Sequence, residues 1–206
     1  PRFKSYVEKF HDKPALLFWA IGNENNYGYS KNIADFYKLA NDMAAQARSV
    51  TDDYRPVAIV NGDVNNIGQS DKGASDDKLS YIDIWGMNVY RGETFTDLFE
   101  QFPLLSNKAL WISEYGTDAW DNRIGKVNED MQAEFVGGLW DEVETATQTK
   151  STTYDGKSNY GSIGASLMEY SDEWWKPYEF ICAPDNCNDT QESEHGRIIR
   201  EPGIER

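Results

Sequence analysis

The sequence predicts an α/β fold in which strands alternate with helices around a parallel sheet. Five apolar runs recur along the chain, Ala15–Gly22, Val57–Asn61, Ile82–Tyr90, Ala109–Tyr115 and Ser162–Tyr170. They are rich in Val, Ile, Leu and aromatic residues and do not alternate cleanly with polar ones, as strands buried on both faces require. Stretches with helical spacing lie between the runs, so the units read as βαβ.

The elements follow in order. Tyr6–Phe10 reads as the last turns of a helix that leads into the first strand, Ala15–Gly22. Asn32–Val50 carries Ile33, Phe36, Tyr37, Ala40, Met43, Ala44 and Ala47 at helical spacing. After the second strand, Val57–Asn61, the stretch Asn61–Lys78 is rich in Gly, Asn and Asp and has little helical pattern; its acidic part, Asp71–Lys78, reads as a solvated loop. The third strand, Ile82–Tyr90, precedes a short helix over Phe95–Leu105, for which Thr94 is the expected N-cap. The fourth strand, Ala109–Tyr115, is followed by a long helix over Val127–Thr147 with the stripe Met131, Phe135, Leu139 and Val143. Thr149–Gly161 is a Ser, Thr, Gly and Asn loop before the fifth strand, Ser162–Tyr170. The stretch from Tyr178 to Arg206 has no sustained period, so the expected division is a barrel-like unit over 1–177 and an extended tail over 178–206 packed on it.

Composition narrows the function classes. The 206 residues are 39% hydrophobic and 14% aromatic, enough for a real core and against disorder. The formal net charge of −15 disfavours nucleic acid and anionic membrane surfaces as partners, because both demand a basic face. No apolar run approaches the ~20 residues of a spanning helix. Cys182 and Cys187 form one local pair, as a disulfide or as free thiols, and His11 and His195 lie at no ligand spacing, so no metal site is expected. The two His also make a metal hydrolase a poor reading, and no Gly-rich phosphate loop follows the last strands.

The strand ends carry the chemistry. The first closes on Gly22-Asn23-Glu24-Asn25-Asn26, the third on Asn88-Val89-Tyr90-Arg91, the fourth on Ser113-Glu114-Tyr115-Gly116, and the fifth on Met168-Glu169-Tyr170-Ser171-Asp172-Glu173-Trp174-Trp175. In a parallel α/β barrel all of these ends open on one face, where the active site lies. A carboxylate at an apolar strand end is costly unless it is hydrogen-bonded or used. Glu24 and Glu114 would face one pocket, an arrangement that suits glycoside hydrolysis: one acid/base, one nucleophile, about 5–5.5 Å apart in a retaining enzyme. A group that protonates a leaving oxygen has to hold its proton at working pH, which burial and a negative neighbour favour. Tyr90 could donate a hydrogen bond to the nucleophile, and Asn23 could bond a sugar hydroxyl. Trp120, Trp174 and Trp175 offer flat apolar faces to a pyranose.

These strings resemble the clan A glycoside hydrolases, the retaining (β/α)8 TIM-barrel β-glycosidases. Phe18-Trp19-Ala20-Ile21-Gly22-Asn23-Glu24 is similar to the clan's fourth strand, which ends in the acid/base Glu after an Asn. Trp111-Ile112-Ser113-Glu114-Tyr115-Gly116 is similar to its seventh strand, which ends in the nucleophile, and Gly86-Met87-Asn88-Val89-Tyr90 to its sixth, which supplies a Tyr beside it. The eighth strand of the clan often ends in a Trp under the sugar, for which Trp174 is preferred to Trp175. Gly22-Asn23-Glu24-Asn25-Asn26 most resembles the catalytic domain of glycoside hydrolase family 2; glucanosyltransferases of the clan are a weaker likeness, through Glu169-Tyr170-Ser171. The resemblance implies a partial barrel of about five strands, strands 4–8, where a full barrel has eight in about 250 residues.

It further implies Glu114 as nucleophile and Glu24 as acid/base, with Asn23, Asn88, Tyr90, Trp120 and Trp174 on the substrate. No metal or other cofactor is required. The partner is a carbohydrate, an oligo- or polysaccharide or a β-glycoside; strands 1–3 are either lost by truncation or supplied by a second chain or copy that completes the barrel, and the sequence does not decide between the two. Transglycosylation with the same residues, or a non-catalytic carbohydrate-binding partial barrel, are the alternatives, and a secreted or periplasmic location is the expected one. Among the remaining residues, Trp19 and Trp85 are expected to pack outward against helices and Arg91 to form a surface ion pair. Glu169, Asp172 and Glu173 are expected to form a solvated acidic loop.

Overall fold

A computed structural model describes residues 2–27, 32–50, 55–121, 123–152 and 158–170. Trp174, Trp175, Asp172, Glu173, Cys182, Cys187, His195 and the 178–206 tail lie outside the described residues.

Five parallel strands make the main sheet: β1 (Trp19–Ile21), β2 (Val57–Gly62), β3 (Ile84–Asn88), β4 (Ala109–Tyr115) and, after two small hairpins, β9 (Ala165–Leu167), in the spatial order β1-β2-β3-β4-β9. Among the described residues four α-helices accompany them: α1 (Arg2–Phe10), α2 (Ile33–Arg48), the single turn α3 (Leu98–Gln101) and α4 (Glu129–Gln148). The hairpins are β5 (Trp120–Asp121) with β6 (Lys126–Val127), and β7 (Lys150–Thr152) with β8 (Ser158–Tyr160), both antiparallel. Neighbours in the sheet are neighbours in sequence, so each βα crossover advances the sheet by one strand, as in a (β/α) barrel.

The outer face of the sheet is closed by helices. Trp19 stands edge-on to Phe3 and Tyr6 of α1, with ring centroids 6.3 and 5.9 Å away. Trp85 is fully buried and meets Tyr37 of α2 at 6.0 Å, so both Trp pack outward on helices as expected. The small buried Ala40, Ala44 and Ala47 line up along α2, where small side chains permit close helix-on-sheet approach. On α4 the buried residues are Met131, Leu139, Val143 and Ala146, with Phe135 half-buried in the same stripe.

The inner face is concave. Phe18, just before β1, stands edge-on to Trp111 of β4 with ring centroids 5.0 Å apart. In a flat sheet those two strands would lie about 14 Å apart, three strand spacings. The sheet is therefore curled into an open partial barrel. Trp111 also donates from Nε1 to Ser166 Oγ of β9 at 3.2 Å, so one indole spans the inner face from the first strand to the last.

Several boundaries differ from the sequence reading, each for a local reason. The first strand shortens to Trp19–Ile21 and the fifth to Ala165–Leu167; among the described residues each pairs on one side only. The short helix starts at Leu98, not after Thr94, whose hydroxyl instead accepts from the Thr96 N–H at 3.1 Å. It tightens into a 3₁₀ turn at Phe102–Leu104, where Pro103 cannot donate to an α-helical ladder. Val127 belongs to β6, and α4 begins after Asn128, whose side chain accepts from Met131 N at 3.2 Å. Beside that cap, Arg123 and Asn128 donate to Asp121, and the Arg123 guanidinium above all holds the Asp121 carboxyl well below the usual carboxylate range. The second hairpin, β7–β8, occupies the stretch read as loop.

Candidate active site

The C-terminal ends of β1, β3 and β4 meet at one place, and β3 is its centre. Asn88 closes β3 and is fully buried in the sheet, in register with Glu114 of β4. A register shift between Met87 and Asn88 skips Ser113, so both Ser113 and Glu114 reach the same strand end. Ser113 Oγ donates to Asn88 Oδ1 at 2.7 Å, which fixes the orientation of the amide. The Asn88 Nδ2 then donates twice, to Asn23 Oδ1 at 3.1 Å and to Glu24 Oε1 at 3.0 Å.

Glu24 lies two strands away from β3 and reaches it by a sharp turn. Gly22 opens the turn at φ +73°, and a Cβ there would meet Asn25 Oδ1 at 2.5 Å and the Phe36 ring at 2.9 Å, so only glycine fits. Glu24 itself is left-handed at φ +52°, a conformation that costs a non-glycine residue about 1–2 kcal/mol. The cost is met by bonds that hold it: Glu24 N donates to Val60 O of β2 at 3.2 Å, and its carbonyl accepts from Tyr27 N at 3.0 Å. Strain of this kind collects at functional sites.

The second carboxylate has a different partner. Tyr90, two residues beyond Asn88, donates its hydroxyl to Glu114 Oε2 at 2.9 Å. Asn88 and Tyr90, from one strand end, thus each hold one of the two carboxylates. Glu24, Glu114 and Tyr90 are half-buried.

A stack of ties supports this end of the sheet. Arg91 forms a bidentate pair with Asp63, Nη2 to Oδ1 at 2.6 Å and Nε to Oδ2 at 2.9 Å, and reaches Asp97 Oδ1 at 3.1 Å. The Asp63 hydrogen bonds raise the Arg91 guanidinium further above its ordinary range. The expected Arg91 ion pair is present, more enclosed than a surface pair and too committed to turn on a ligand. Asn61 accepts from the Tyr37 hydroxyl at 2.8 Å and donates to Asp63 O and Asn65 O, shaping the loop after β2.

Of the residues that the sequence singles out, Glu24, Glu114, Asn23, Asn88 and Tyr90 converge here. Trp120 lies in β5, next along the chain from β4, and its side chain is not described; Trp174 lies outside the described residues. Glu169 and Tyr170 are exposed after β9. Ser113 appears in the sequence strings without a role, and its task of orienting Asn88 depends on a register shift that no spacing announces. Asn26, which pairs both of its amide ends with the Gly62 backbone at 2.7 and 2.8 Å, was legible only as one of an Asn-rich run. Among the described residues no group of three or more His, Cys, Asp or Glu is placed to hold a metal ion, and no helix is long and apolar enough to cross a membrane.

Comparison with known families matches residues 1–166 to the model described as glycosyl hydrolases family 2, TIM barrel domain. The chain belongs to glycosyl hydrolase family 2. The match covers every described strand of the family 2 barrel segment except the last residue of β9. A comparison with curated proteins finds no match. Membership of family 2 makes the five-stranded sheet a segment of a TIM barrel and its C-terminal strand ends the face on which such barrels do their chemistry.

Proposed function

We propose that this barrel segment is a retaining β-glycosidase in which Glu114 is the nucleophile and Glu24 the acid/base. The observation that carries the reading is the division of labour at the end of β3, where Tyr90 holds one carboxylate and Asn88 the other. A double displacement needs two carboxylates with different tasks, and their different partners supply the difference.

In the first step Oε1 of Glu114, the oxygen that Tyr90 does not hold, forms a bond to the anomeric carbon. The bond from that carbon to the leaving oxygen breaks, and the Glu24 carboxyl gives that oxygen its proton. Tyr90 keeps Oε2 hydrogen-bonded, so the attacking group stays aimed and its charge is steadied before attack. In the second step Glu24, now a carboxylate, takes a proton from water. The water oxygen bonds to the anomeric carbon from the face that the leaving group left, and Glu114 departs as carboxylate. Two inversions give net retention. Asn23, whose Oδ1 is occupied by Asn88, presents its Nδ2 as the donor to a sugar hydroxyl beside the reacting centre.

Azide rescue tests the assignment. With an aryl β-glycoside carrying a good leaving group, Glu24→Ala is expected to form a glycosyl-enzyme and stall. Azide, which needs no general base, is expected to restore turnover and give the β-glycosyl azide. Lack of rescue, or an α-azide from this variant, would contradict the roles given to Glu24 and Glu114.

A further inference from the structure

We propose that Tyr27 is the platform for the leaving-group sugar, and so sets which acceptors and aglycones the site takes; this rests on the roles proposed for Glu24 and Glu114. In a double displacement the nucleophile stands behind the anomeric carbon and the acid stands at the leaving oxygen. The leaving group therefore extends past Glu24, away from Glu114. The surface on that side is built by the segments that follow β1 and β2, and among the described residues Tyr27 is its exposed aromatic one.

Tyr27 is tied to the acid directly, since its backbone N–H donates to the Glu24 carbonyl at 3.0 Å. One side of its ring lies against the Gly62 backbone, so closely that any Cβ at position 62 would collide with the ring. Gly62 is itself clamped by both amide ends of Asn26, the residue before Tyr27. The ring is therefore fixed, yet Tyr27 remains 52% exposed. A fixed, half-exposed aromatic ring is what the C–H face of a pyranose stacks on.

The polar groups around the ring fit hydroxyls. Asn65 is exposed beside the Tyr27 hydroxyl, and the Asp63–Arg91 pair borders it. Burial raises the Tyr27 hydroxyl most, followed by the carboxylates of Asp63 and then Glu24. The phenol is thus a neutral hydrogen-bonding group on the Glu24 side. Two non-glycine residues beside Tyr27 stand in left-handed backbone, Glu24 at φ +52° and Asp63 at +48°. Strained backbone concentrated in two adjacent loops marks a surface shaped for contact rather than for packing alone.

The test compares two leaving groups in the full chain. A panel of β-glycosyl fluorides has no leaving sugar to stack, while the matching β-linked disaccharides do. Tyr27→Ala is expected to lower kcat/KM on the disaccharide about tenfold and to leave fluoride turnover unchanged. Tyr27→Phe keeps the ring and loses the phenol, and is expected to keep most of the disaccharide rate and all of the fluoride rate. Fluoride turnover also reports whether the variant still folds. An equal fall on both substrates, or an unchanged disaccharide rate in Tyr27→Ala, overturns the platform role while Glu114-dependent fluoride turnover keeps the parent reading in place. Absence of fluoride turnover in the parent chain, or turnover that survives Glu114→Gln, overturns the parent reading and the platform with it.

Discussion

The middle of the sheet and its two edges are built differently. β2 and β3 run six and five residues with every residue buried, and β4 runs seven. The edge strands β1 and β9 run three residues each, and expose Ala20 in one and Ser166 and Leu167 in the other. A central strand pairs on both sides and is packed on both faces; β1 and β9 each have one neighbour among the described residues. The lesson lies in where the site is anchored. Asn88, Tyr90, Ser113 and Glu114 stand on or directly after the long buried strands. Glu24 comes from an edge strand, and it is the residue that needs a left-handed turn and three hydrogen bonds to be held in place. Position is inherited from the sheet in the middle and has to be constructed at the edge.

The widest gap between the two regions should appear in stability. Trp85 on β3 is fully buried against Tyr37, and Trp85→Ala is expected to cost about 3–5 kcal/mol. Leu167 on β9 is 49% exposed, and Leu167→Ala should stay within about 0.5 kcal/mol. Urea denaturation of both variants checks this; equal costs would mean that the edge is as tightly packed as the centre.

A smaller effect should follow from cutting the link between centre and edge. Asn88→Ala leaves the Ser113 hydroxyl without its buried acceptor, for about 1–3 kcal/mol, and releases Glu24 and Asn23. Its kcat/KM is expected to fall about 10²-fold, the scale of a misplaced catalytic group. If the loss in activity is no larger than the loss in folded protein, Asn88 is a core residue and not the bridge described above.

The same contrast explains what could be read from the sequence. The central strands were legible because a run such as Ala109–Tyr115 is apolar on both faces, and the strand observed has those same bounds. The edges were over-extended, since Ala15–Gly22 and Ser162–Tyr170 are apolar for longer than their pairing lasts. Beyond the paired residues Phe18 turns onto the inner face while Leu17 and Ile163 are exposed, so an apolar run there marks neither pairing nor burial. The hairpins β5–β6 and β7–β8 are polar and two or three residues per strand, too short for any period. At the site, Glu24, Glu114, Asn23, Asn88 and Tyr90 were legible as polar residues that end apolar strands. The ties that aim them were not: Ser113 acts through a register shift, Arg91 through Asp63 some 28 residues away, and Asn26 through the backbone of Gly62. Such partners are set by the curl of the sheet, which no local pattern encodes.

The central claim is that Glu114 forms a bond to sugar. It is tested most directly by incubating the full chain with 2-deoxy-2-fluoro β-glycosides carrying good leaving groups and measuring its intact mass, then mapping the labelled peptide. The account predicts a gain of one fluorosugar, located on Glu114 and absent from Glu114→Gln. A label on any other residue, or an unchanged mass across the panel, would contradict it.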